Sequence, residues 1–182
     1  MNWLDALLIL LILTGVGIGF LQGLIRQVLN FLSLYVALAM ASYFHLGLGD
    51  WLQFLAGNIS PEVKVVFSFL TLLTFGYIVL IALSQRAFPE TSLEGFRMMD
   101  QLGGLILGFF LISLQIGVAL RIFEILGSAF WFQAEGLRLA LQRAMTTSAL
   151  VPFFRAYLLV IAQTLIPLLP AGLPRFFDFV SR

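Results

Sequence analysis

Four stretches of this chain, residues 4–25, 28–48, 62–84 and 102–124, are apolar over the length an α-helix needs to cross a bilayer. That length is about 20 residues for the hydrocarbon core. Lipid offers a backbone no hydrogen-bond partners, so an apolar segment of this kind must satisfy its own amides, and a helix does so within one segment. The fold class expected is therefore an all-α membrane protein. Residues 1–127 should form four transmembrane helices, and residues 128–182 a C-terminal amphipathic or interfacial helical region. Composition agrees: 61% of the chain is hydrophobic and 10% charged, against roughly 25% charged in soluble domains. A mean hydropathy of +1.05 leaves too little polar surface for water.

The first stretch contains Gly15, Gly17, Gly19 and Gly23. Glycine in a helix is about 1 kcal/mol worse than alanine, and in a bilayer the usual compensation is close approach of another helix. Gly15, Gly19 and Gly23 recur every fourth residue. At roughly 100° per residue they drift only about 40° per step and keep to one face, a glycine zipper. Gly17 lies on the opposite side. The fourth stretch repeats the spacing with Gly104 and Gly108. In a bundle of alternating spans, the end of the first helix and the start of the fourth share a membrane face. Gly19 and Gly108 then match in depth, as do Gly23 and Gly104, and the two helices are expected to pack through these glycines. A second protomer is the other partner a glycine face could take.

Along the chain, Asn2 is placed to cap the first helix, with Asp5 at the third helical position in a variant of the capping box. Trp3 suits the interface. The Met1 to Asp5 start has an acid where a secretory signal carries bases, which points to a retained span. Arg26 and Gln27 mark a tight turn, and Gly47-Leu48-Gly49 should end the second span. Asp50 would then cap a short interfacial turn stopped by Gly57. His45, the only histidine, is expected at the interface, because one histidine without cysteine builds no recognisable zinc site. Ser60-Pro61-Glu62 reads as a helix start, with Ser60 as cap and proline at the first position. Lys64 should extend its amine outward. Asp100 is placed to cap the fourth span and, sharing a face with Arg26, to pair with it. The alternative leaves Asp100 capping only its own helix and Arg26 binding lipid phosphate. Arg121 and Glu124, three apart, should pair on one helix face. Leu137, Leu141 and Ala144 recur at helical spacing, as in a surface helix. Pro152, Arg155, Gln163 and Pro167 interrupt 149–170 and argue against a regular fifth span.

Several of these residues together resemble the colicin V production protein family of bacterial membrane proteins. They are Asn2, Leu4 and Asp5; Gly19-Phe20 with Gly23-Leu24-Ile25-Arg26; Asp100 followed by Gly104 and Gly108; and Ser148 with Pro152. Gln101 stands where a basic residue is common, and Ile112 where a further glycine would fit the pattern. The resemblance implies a multi-pass protein of the bacterial inner membrane with four spans, associated with production or export of a peptide toxin.

Sequence motifs for chemistry are missing. After Gly17 and Gly19 the next glycine comes four residues on, so the dinucleotide fingerprint fails. No Walker lysine loop, His-Glu-x-x-His or Gly-x-Ser-x-Gly elbow occurs. The absence of cysteine removes thiol nucleophiles and thiolate ligands, and a net charge of +1 without a basic patch argues against nucleic acid. The expectation is a protein with no catalytic, cofactor or metal site. Its partners would be the lipid bilayer and other envelope proteins or a second copy, in an envelope process that needs no catalysis. The alternative is a small channel or transporter formed by oligomerisation. Arg26, Arg86 and Arg97 oppose Lys64 and the tail arginines, so the positive-inside rule leaves orientation open.

Overall fold

A computed structural model describes residues 2–57, 61–89, 96–128 and 135–168. They form α1 (Trp3–Gln22), α2 (Leu24–Ala56), α3 (Pro61–Ala87), α4 (Arg97–Ser128), α5 (Glu135–Thr147) and α6 (Val151–Leu165), with a 3-10 turn at Ile166–Leu168. No strand occurs among the described residues. Helices α1 to α4 are each long and apolar enough to cross a membrane, while α5 and α6 form a pair bent by 83°. At 33 and 32 residues, α2 and α4 are roughly 50 Å long and exceed the apolar core of about 30 Å.

α4 is the axis of the bundle, touching α1, α2, α3, α5 and α6, whereas α2 packs chiefly on α3 and α1 chiefly on α4. Two buried clusters follow. Leu38 and Ala41 of α2 meet Phe69 of α3, Leu114 of α4 and Leu158 and Ala162 of α6. Leu4 and Leu8 of α1 meet Ile116 and Leu120 of α4, Met145 of α5 and Phe154 of α6. Lipid tails are as apolar as these side chains, so their association rests on close packing and polar ties between helices.

The chain breaks between α1 and α2 at Gly23, not at Arg26 and Gln27. Gly23 has φ 81° and ψ 171°, a region open essentially to glycine alone. It breaks the helix in one residue, leaving Arg26 and Gln27 in the first turn of α2. The expected end of α2 at Gly47–Gly49 is also corrected: the helix runs on to Ala56, and Gly57, at φ 72°, closes it by donating to Gln53 O. Packing outweighs the glycine cost here. A Cβ on Gly49 would come within 3.2 Å of Lys64 Cγ and 3.3 Å of Ser68 Oγ on α3. Lys64 does not extend outward; its amine reaches back to Asp50 Oδ1 at 3.1 Å and Gln53 Oε1 at 3.0 Å. Asp50 is thus a cross-helix partner and caps nothing. His45 is buried within the bundle. Its Nδ1–H donates to Ser42 O at 2.9 Å, and its ring stands edge-on to Phe69.

α3 starts at Pro61; the cap proposed at Ser60 lies outside the described residues. The end of α4 is held by α5, since Arg138 Nη1 and Gln142 Nε2 both donate to Gly127 O, at 3.0 and 2.8 Å. Glu124 accepts from Arg121 at 3.1 Å and from Arg155 of α6 at 2.5 Å. In α5, Ala144 and Met145 turn inward, but Leu137 faces outward.

α6 has 15 residues, about 22 Å of helix, too short to be a regular span. It descends beside α4 from the start of α1. Tyr157 Oη donates to Phe110 O at 3.2 Å, and further on Tyr35 Oη of α2 donates to Thr164 O at 3.0 Å. Gly117 lets it approach, because a Cβ there would lie 3.3 Å from Phe154 O.

Candidate functional site

Close backbone contact between α1 and α4 organises the bundle. A Cβ built on Gly19 would collide with Gly104 O and lie 2.8 Å from Gly108 Cα. One built on Gly108 would lie 2.8 Å from Gly15 O and 2.9 Å from Gly19 Cα, and one on Gly104 would lie 2.7 Å from Gly23 C. Gly15 faces the side chain of Ile112, so the position without the further glycine is filled by a branched chain. Gly17 has nothing within 4 Å and points away from the bundle. At Gly19, Gly104 and Gly108 the two backbones touch directly, with no side chain between them.

The seam ends at Asp100. This residue does not cap α4, which starts three residues earlier, and it forms no ion pair with Arg26. Its Oδ1 instead accepts from Leu24 N–H at 2.9 Å, so the carboxylate caps the neighbouring helix, α2. The physical reason is the turn at Gly23. It aims the first free amide of α2 at the start of α4, and an unsatisfied donor in this part-buried position would be costly. A carboxylate at a helix N-terminus also complements the helix dipole. Arg26, in the same first turn, is left half-buried with Nη1 enclosed and without an acceptor. Beside it, Gln27 Nε2 and Asn30 Nδ2 both donate to Gln22 Oε1, at 3.1 and 3.0 Å.

At the opposite face a polar knot ties the N-terminus to the C-terminal helices. Asn2 Oδ1 accepts from Leu4 N and Asp5 N, and Asp5 Oδ2 accepts from Asn2 N at 2.8 Å, completing a capping box. The same two residues reach further. Asp5 Oδ1 accepts from Ser148 Oγ–H at 2.5 Å and from Leu150 N–H at 3.3 Å. Asn2 Nδ2 donates to Ala144 O at 2.6 Å and to Thr147 Oγ1 at 2.9 Å. Ser148 Oγ in turn accepts from Leu150 and Val151 N–H, at 3.2 Å each, at the head of α6. Asp5 and Ser148 are both buried. Both oxygens of the Asp5 carboxylate accept hydrogen bonds, so it ties the start of α1 to the head of α6. Sequence reasoning found the cap but missed the tie; the available signal was Ser148 with Pro152, whose partner no local pattern names.

This tie gives a prediction. Asp5→Ala should loosen the corner between α5 and α6 and raise proteolysis and amide exchange around residues 144–151, with α1 to α4 little changed. Asp5→Asn keeps an acceptor for Ser148 and should lie between the two. Wild-type protection of the corner in Asp5→Ala would show that the tie holds nothing.

Four apolar helices, three of them packed around α4, closed by glycine contacts and tied at their ends by carboxylates, define a multi-span helical membrane protein. The chain belongs to the colicin V production protein family, whose model matches residues 4–158. That stretch contains both glycine faces, Asp100 and the Asp5–Ser148 tie. No curated protein and no solved structure matches the chain.

Proposed function

We propose that this protein is a non-catalytic component of a bacterial inner membrane that supports production or export of a peptide toxin, or a related envelope process. The observation that carries this reading is the closure of the α1–α4 seam by backbone against backbone. A single copy then has no conduit there, and the buried carboxylates of Asp5 and Asp100 are occupied in joining helices. What remains for partners is the outer surface, met by other envelope proteins or a second copy. The test has two parts. Purified protein in liposomes should pass ions and small solutes no faster than empty liposomes. Deleting its gene from a producing strain should reduce secreted toxin, with rescue by the wild-type chain. Unchanged toxin output would remove the proposed role.

A small channel formed by oligomerisation is the second reading. It is favoured by Thr71 and Thr74, which face outward in the middle of α3 where lipid gives a hydroxyl no partner. Since the chain has no cysteine, single cysteines at these positions would report directly. Disulfide-linked dimers in membranes, together with liposome flux, would favour the channel over the closed bundle.

A further inference from the structure

The structure assigns Arg26 to the binding of a phosphate oxyanion at the membrane face where α1 ends and α2 begins. Four observations converge on this residue. Its Nη1 is enclosed with no acceptor in the chain, and none of the ion pairs among the described residues includes it. The one described carboxylate at this face, Asp100, is turned to Leu24 N–H instead. The residue as a whole is only half-buried, so the other edge of its guanidinium remains open to the headgroup layer. A desolvated cation without an anion is unfavourable, and a guanidinium fork matches phosphate oxygens with two parallel hydrogen bonds. Placement in the first turn of α2 adds the helix's partial positive charge, which favours an anion at the same spot. Arg86 and Arg97 lie at this face too, but both are exposed and can relax into water, so neither requires a particular partner. Gln27 Oε1 is a second enclosed atom at this end with no donor.

The phosphate could come from a lipid headgroup or from solution, and the experiment separates the two. The full-length chain is melted in uncharged detergent with added phosphatidylglycerol, with diacylglycerol of the same acyl chains, or with sodium phosphate against sodium chloride at equal ionic strength. Wild type, Arg86→Gln and Arg97→Gln should be stabilised by phosphatidylglycerol, or by phosphate, at the same half-saturating concentration. Arg26→Gln should need roughly tenfold more, the loss expected for a charge-assisted hydrogen bond. Arg26→Lys keeps the charge without the fork and should fall between. A response to phosphatidylglycerol alone identifies the lipid, and one to sodium phosphate identifies the free anion. An equal response in Arg26→Gln overturns the assignment. Should Arg26→Gln not insert, wild type stabilised no more by phosphatidylglycerol than by diacylglycerol, and no more by sodium phosphate than by sodium chloride, overturns it as well.

Discussion

Replacing Gly19 by leucine is expected to unfold the seam between α1 and α4 and, with it, most of the bundle. Overfilling a packed core by a methylene or two costs about 1–3 kcal/mol when side chains can give way. At Gly19 the atoms in the path are Gly104 O and Gly108 Cα, which move only if α4 moves. α4 in turn carries α2, α3, α5 and α6, so a shift there spreads to every contact. The matched control is Gly17→Ala, on the opposite side of the same helix, where an added Cβ meets nothing within 4 Å. That substitution should be neutral or stabilising by up to about 1 kcal/mol through helix propensity. Gly19→Ala should already lower the melting temperature in detergent, Gly19→Leu should leave little folded protein, and Gly108→Leu should match it. Wild-type melting and oligomeric state in both leucine variants would mean the two backbones do not touch.

The features legible in the sequence are those with a local cause. Four apolar stretches of spanning length dictate four helices, because lipid leaves the backbone no other solution. The four-residue spacing of Gly15, Gly19 and Gly23 and of Gly104 and Gly108 is legible for a similar reason: in a bilayer a glycine returns little besides close approach. In the proline-interrupted C-terminal stretch the described residues form no single straight helix of spanning length: α6 has 15 residues and is bent by 83° from α5.

The features that were not legible depend on geometry set elsewhere in the chain. Ser148 lies 143 residues from Asp5, and only the descent of α6 beside α4 brings them together. Gly47 and Gly49 signal a break when the chain is read alone; contact of Gly49 with Lys64 and Ser68 of α3 opposes that signal, while Gly47 meets nothing within 4 Å. Asp100 and Arg26 could be placed on one membrane face by counting spans. Which donor takes the carboxylate was decided by the single residue Gly23, whose turn presents Leu24 N–H first.

That residue carries the second large effect. Gly23→Ala adds one methyl group and should destabilise the protein by roughly 2–4 kcal/mol, from two sources that can be separated. The backbone sits at φ 81° and ψ 171°, where any residue with a Cβ is strained by about 1–3 kcal/mol. The new Cβ would also run into the Asp100 carboxylate, with Cγ 2.8 Å and Oδ1 3.0 Å away, and push it off Leu24 N–H. Losing a cap of this kind costs roughly 0.5–2 kcal/mol. Asp100→Asn retains an acceptor oxygen and should melt close to wild type, whereas Asp100→Ala should show the cost of the cap alone. In Gly23→Ala/Asp100→Ala the collision is gone and the cap can be lost only once, so the double variant should be less destabilised than the sum of the singles. The remainder is backbone strain. Strict additivity in this cycle, measured as melting temperature and as urea midpoint in a fixed detergent, would place the carboxylate away from Gly23. It would also detach the turn between α1 and α2 from the start of α4.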